Sequence, residues 1–165
     1  MSTINVDNIK DASGGDNVAM PAGSVVQVGT QVKVDGIQVT LTSTTFTAVG
    51  QSFIASITPR FASSKIKIVM SFQTYQSSNY HAAKLYRSIA GGSYAETFTN
   101  PIMNGGYDWE SKTFVMIDTP TYSVGQTISY QPYQAGHNAS NAVYFGWGSS
   151  GRGSSCLMHC EEIKG

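Results

Sequence analysis

The chain has 165 residues, a formal net charge of zero and only 12% charged side chains, about half the usual share for a soluble domain. That length suffices for one domain whose core needs neither disulfides nor metals, and the lack of a basic surplus argues against nucleic acid, whose phosphates demand neutralising charge. Scarce charge combined with many Tyr, Phe and Met residues predicts a homo-oligomer that buries surface against copies of itself.

Residues 1–23 read as a docking arm ahead of a domain at 24–165. Ile4, Val6 and Ile9 are its regularly spaced apolar residues, and turn-rich stretches at 11–17 and 21–23 separate them from the domain. The opening residues carry neither a basic region nor an apolar run, so no signal or transit peptide is expected. No stretch approaches the ~20 apolar residues of a membrane span, so membrane insertion is not expected either.

From Ser24 onward, strands and turns alternate. Val32 and Val34 precede Asp35-Gly36, and Ile37, Val39 and Leu41 come after it, which predicts a hairpin closed by a two-residue turn. Further β-rich segments are 46–49, 53–57, 65–72, 113–118, 127–132, 142–147 and 156–163. Within 65–72, Ile66, Ile68, Met70 and Phe72 share one face while Lys65, Lys67 and Ser71 share the other, so this strand has one wet side. Residues 114–117 are apolar on both faces, as in a strand covered by a second sheet or by a neighbouring subunit. Residues 81–89 compete as a helix, because Ala82, Leu85, Tyr86 and Ile89 match helical spacing and Gly91-Gly92 would end it; the same stretch reads almost as well as a strand. With 17 glycines spread between the segments, the expected fold is all-β, an antiparallel β-sandwich with jelly-roll topology and an extended N-terminal arm. No fixed-period repeat is present, which leaves out solenoids and fibrous shafts.

Motifs that would carry catalysis fail at identifiable steps. Gly146-Trp147-Gly148-Ser149-Ser150-Gly151 spells a dinucleotide-binding string, but its glycines serve a helix N-terminus, and the segment after residue 155 reads as a strand. No cofactor is expected. His81, His137 and His159 lie in different segments, and no nucleophile elbow accompanies them. Asp108 and Glu110 flank Trp109 at roughly 6–7 Å by backbone rise, a spacing that glycoside hydrolysis permits but that polar neighbours of a half-buried Trp explain as well. Cys156 and Cys160, four apart on a strand, would lie about 13 Å apart on one face, too far for a disulfide. They read as free thiols. No zinc or calcium spacing occurs.

Aromatic residues form the more informative group. Tyr75, Tyr80, Tyr107, Trp109, Tyr130, Tyr133 and Trp147 lie in or beside stretches rich in Asn, Gln, Ser and Gly. Such residues fill subunit interfaces or stack on sugar rings. The interface is the favoured reading for most, with contact to a host-surface glycan or a partner assigned to Tyr107, Trp109 and Tyr133.

A series of short landmarks runs through the chain in order. The landmarks are Ile4-Asn5-Val6-Asp7-Asn8-Ile9 with Ser13-Gly14, then Pro21-Ala22-Gly23-Ser24-Val25-Val26-Gln27-Val28. Next in order come Ser56-Ile57-Thr58-Pro59, Ser64-Lys65-Ile66-Lys67-Ile68, Leu85-Tyr86-Arg87, Asp118-Thr119-Pro120 and Glu162-Ile163. This series resembles that of a group of bacteriophage virion proteins of marine and cyanobacterial phages, described as tail-fibre-like; the ending Cys156-Leu157-Met158-His159-Cys160 and the loop at 100–109 depart from the pattern. The resemblance implies a compact trimeric β-sandwich on a virion assembled in the host cytoplasm, attached to another virion protein through the arm. The resulting expectation is a non-enzymatic fibre- or knob-type subunit that contacts the host. A capsid decoration or cement protein is the alternative, and a glycan depolymerase is the third choice.

Overall fold

The computed structural model describes residues 21–34, 39–50, 53–76, 81–101, 103–105, 108–136, 143–145 and 156–165. The strands are β1 (Val25–Val28), β2 (Val32–Val34), β3 (Val39–Leu41), β4 (Thr47–Ala48), β5 (Ala55–Ile57), β6 (Lys65–Gln76) and β7 (His81–Ile89), then β8 (Ala95–Glu96), β9 (Met103–Gly105), β10 (Asp108–Asp118), β11 (Ile128–Gly136), β12 (Val143–Phe145) and β13 (Cys156–Ile163). There is no helix among the described residues, and residues 81–89 form a strand. Nine consecutive pairings to β11, from His81 opposite Gly136 to Ile89 opposite Ile128, decide this against the local helical spacing.

Several strands are pieces of one interrupted ribbon. β12 and β13 run in the same direction along one edge of β6, at Thr74–Gln76 and at Lys65–Ser71, while β10 occupies the other edge. β1 and β2 line β13, and β3 lines β12. In the second sheet, β4 and β5 share one edge of β11, and β8 and β9 share one edge of β7. Counted as eight ribbons in chain order, the first sheet runs 1-8-3-6 and the second runs 2-7-4-5. Ribbons 1 and 8, 2 and 7, 3 and 6, and 4 and 5 are antiparallel partners, as in a long hairpin rolled up on itself.

This topology corrects the hairpin expected at Asp35-Gly36. The turn itself, 35–38, lies outside the described residues, but its flanking strands do not pair with each other: β2 pairs with β13 and β3 with β12. Both belong to the same edge ribbon, so alternation of apolar residues around a turn signal marks an interruption in a strand, not a reversal between two strands. The expected arm residues Ile4, Val6 and Ile9 also lie outside the described residues.

Period-two patterning sets the core. Ile66, Ile68, Met70 and Phe72 of β6 and Cys156, Met158 and Cys160 of β13 face Ala83 and Leu85 of β7 and Ile128 and Tyr130 of β11, all buried, with Phe53, Ala55 and Ile57 closing one side. Truncating a large member of this set to Ala costs about 2–5 kcal/mol. Neither cysteine forms a disulfide, and both are buried on one face, as their spacing predicts. Gln134, fully buried on β11, has no hydrogen-bond partner for either amide atom among the described residues.

Polar groups fix the closed end. Glu162, fully buried, accepts hydrogen bonds from the backbone N–H groups of Arg60 (3.0 Å) and Phe61 (3.1 Å) and from Ser64 Oγ (2.6 Å). It thereby holds the 60–64 turn against β13. Between β1 and β2 the chain turns a corner that joins the two sheets. Gly29 N–H donates to Cys160 O of the first sheet at 2.7 Å, and Thr30 N–H donates to Ser56 O of the second at 2.8 Å. A Cβ on Gly29 would sit 2.5 Å from Ser56 O and 2.9 Å from Ile57 Cβ, so only glycine fits this approach.

Candidate functional site

The outer face of the second sheet carries an aromatic cluster. Along β11, Ile128 and Tyr130 point into the sandwich while Tyr133, at odd spacing from both, is half-buried on the outside. Register then selects its neighbours: Tyr133 stands opposite Lys84, and Gln131 stands opposite Tyr86. Tyr86 and Tyr133 are therefore diagonal cross-strand neighbours, within reach of aromatic rings. Their rings stack with centroids 3.9 Å apart and planes inclined by 22°. Tyr94 joins them at 6.3 Å from Tyr133 and 45°.

Tyr94 is delivered by a tight turn after β7. Ala90 and Gly91 adopt positive φ angles of 51° and 74°, Gly92 N–H closes the turn on Ile89 O at 3.0 Å, and Ser88 Oγ donates to Gly92 O. Ala90 carries a left-handed conformation that costs a non-glycine residue about 1–2 kcal/mol.

Electrostatically the face is neutral. The Lys84 ammonium donates to Glu96 Oε1 at 2.5 Å and to Thr99 O at 3.1 Å, and it lies 5.1 Å from the Phe46 ring centroid. The next cation along β7, Arg87, turns inward to Asp118 Oδ2 at 2.5 Å. Burial raises the Tyr94 and Tyr133 phenols above their ordinary value, and each is raised further by a neighbouring tyrosine. Both stay protonated through the neutral range. None of the three hydroxyls of Tyr86, Tyr94 and Tyr133 has a hydrogen-bond partner among the described residues.

The aromatic residues grouped from sequence separate in space. Tyr130 is a core residue whose hydroxyl donates to Asp118 Oδ2 at 2.8 Å, and burial pushes its phenol strongly upward. It is excluded from any surface contact. Trp109 lies on β10 of the first sheet, opposite Tyr75 of β6, and so in a different sheet from Tyr133. Tyr80, Tyr107 and Trp147 lie outside the described residues. Tyr86 and Tyr94, which complete the cluster, escape sequence reasoning because only the β7–β11 register brings them to Tyr133. The one available signal is parity: on a strand at 81–89, Tyr86 shares a face with Lys84.

Of the catalytic and metal candidates, His137 and the side chains of Asp108 and Glu110 lie outside the described residues. Cys160 is buried, its thiol pushed up to about 12 by desolvation. His159 projects on the opposite side of β13 and contacts Glu161. Among the described residues, no group of three or more His, Cys, Asp and Glu side chains could hold a metal ion. The glycine string at 146–151 lies outside the described residues, and the next element, Cys156–Ile163, is a strand. Compared with known proteins, the chain matches no family model and no curated protein sequence.

Proposed function

We propose that the chain is a non-enzymatic surface subunit of a bacteriophage virion, of fibre or knob type, which contacts the host through the outer face of its second sheet. The observation that carries this reading is the cluster of Tyr86, Tyr94 and Tyr133, with three hydroxyls unused by the fold among the described residues. All three rings are half-buried on the outer face and outside the core, and aromatic clusters so placed mark contact surfaces. The ribbon order 1-8-3-6 over 2-7-4-5 supports a jelly roll, an architecture common in virion subunits. The series of sequence landmarks running through the chain supports the phage assignment, with residues 1–23 as the arm that docks on another virion protein.

A capsid decoration subunit is the second reading, and β10 favours it. Among the described residues this eleven-residue strand pairs only with β6, which leaves its other backbone edge open there, and Val115 and Ile117 on it are 61% and 53% exposed. Long apolar edges invite pairing with another chain, which supports a homo-oligomer, a trimer in this reading.

Labelled antibody imaging of intact virions separates the two: labels at the tail tip support the fibre, and labels distributed over the capsid support decoration. Adsorption of the purified subunit to host cells tests the contact face. Tyr133→Ala is expected to reduce adsorption at least tenfold, and undiminished adsorption would refute the role of that face.

A further inference from the structure

The geometry points to a saccharide site at Tyr86, Tyr94 and Tyr133, whose ligand is a neutral glycan and not an anionic one. This deepens the reading of that face as the host-contact surface and rests on it. A pyranose ring presents an apolar face of C–H groups and a periphery of hydroxyls. Aromatic rings match the first. Uncharged donors and acceptors placed beside them match the second. The three tyrosines supply both, since the Tyr86 and Tyr94 rings lie 3.9 and 6.3 Å from that of Tyr133 and their hydroxyls have no partner among the described residues.

Charge decides the class. A sialylated, sulfated or phosphorylated glycan needs a cation with open coordination. The cation closest to the cluster, Lys84, already holds Glu96 at 2.5 Å, Thr99 O at 3.1 Å and the Phe46 ring, and its side chain is only 15% exposed. Arg87 is committed to Asp118 on the inner face. The Glu96 carboxylate, opposite Tyr86 in register, is the partner of Lys84, so the charges beside the cluster cancel as one ion pair. An anionic sugar would have to break that ion pair to gain a cation, whereas a neutral sugar binds without disturbing it. The raised phenols of Tyr94 and Tyr133 keep the site uncharged as pH rises through the neutral range.

The experiment titrates the full chain with maltotriose, mannotriose and tri-N-acetylglucosamine on one side, and with 3′-sialyllactose and a heparin tetrasaccharide on the other. Binding is tracked by tyrosine fluorescence and by NMR line broadening of the sugars. Saturable binding to at least one neutral trisaccharide is expected, changing less than roughly twofold between about 0.05 and 0.5 M NaCl, because no ionic contact is there to be screened. Tyr133→Ala should weaken it at least tenfold, and Tyr133→Phe, which keeps the ring, by less. Tyr94→Ala serves as the second variant should Tyr133→Ala fail to fold. Binding confined to the anionic sugars, with steep salt dependence, overturns the neutral-glycan assignment. If no sugar binds while the tyrosine variants still lose host adsorption, the saccharide site is overturned and the contact face stands. If sugar binds but adsorption is unchanged, the host-contact reading fails alone.

Discussion

Glu162 offers the sharpest test of how the sandwich end is held. Replacing it with Gln keeps the volume but exchanges one acceptor oxygen for a donor. Oε1 serves Arg60 N–H, Phe61 N–H and Ser64 Oγ, whereas Oε2 shares only Arg60 N–H, so the amide turns its oxygen to the first position and sets its NH₂ against Arg60. Bonds to a charged group contribute about 1.5–3 kcal/mol and neutral ones about 1, so weakening three bonds costs roughly 2–4 kcal/mol. Relief from burying a charge offsets part of this, leaving about 2 kcal/mol. Glu162→Ala strands all three donors and should cost about 3–5 kcal/mol. Urea unfolding with an unchanged m-value measures both, and amide exchange at Arg60 and Phe61 should accelerate in each variant. The reasoning is refuted if the Gln variant is as stable as the parent, or if Ala costs no more than Gln.

Gly29→Ala should lose about 1–3 kcal/mol by forcing the corner apart, read as a lower thermal midpoint. Gln134→Met, which removes an amide lacking any partner in the core, should gain about 1–3 kcal/mol in urea unfolding. Cys160 is expected to resist thiol reagents in the folded protein at neutral pH and to react on denaturation. Its folded value is raised from 9.0 to about 12, so the unfolded chain holds fewer protons between those limits. Stability should fall as pH rises through that window, with a shallower slope in Cys160→Ala measured on a Tyr130→Phe background. Val115→Lys on the open β10 edge should leave the fold intact and lower the mass found by light scattering towards that of a monomer; an unchanged oligomer would place the interface elsewhere.

What the sequence makes legible is what period two controls. The faces of Lys65–Phe72 and Cys156–Ile163, the buried thiols and the two-sheet all-β class all stem from alternation that survives in the structure. Pairing is not legible, because it is a long-range choice. Val32–Val34 and Val39–Leu41 look like hairpin arms locally, yet each finds its partner more than a hundred residues away. Residues 81–89 cannot be decided locally, since Ala82, Leu85, Tyr86 and Ile89 satisfy one period and His81, Ala83 and Leu85 the other; β11 settles the choice. The candidate site suffers from the same blindness. Tyr130 and Tyr133 group by proximity in the chain although three residues on a strand put them on opposite faces, and Tyr86 and Tyr94 join Tyr133 only through register. Residues 114–117, apolar on both sides, anticipate a covered strand; Phe114 and Met116 are half-buried against the core, while Val115 and Ile117 face outward at an open edge.

Pairing of the first ribbon with the last has a mechanical consequence. Gly23 N–H bonds Lys164 O and Lys164 N–H bonds Ser24 O, so both ends of the described domain emerge at one corner. Tension applied between those ends would unzip β1 from β13 one bond at a time, the weak direction of a sheet. Tension applied between residue 24 and the outer face at Tyr133 takes a different path: it crosses the sandwich through the Gly29–Thr30 corner, where adjacent amides grip both sheets. The domain is thus built to yield when pulled by its own ends and to hold when pulled between its first strand and the outer face of its second sheet.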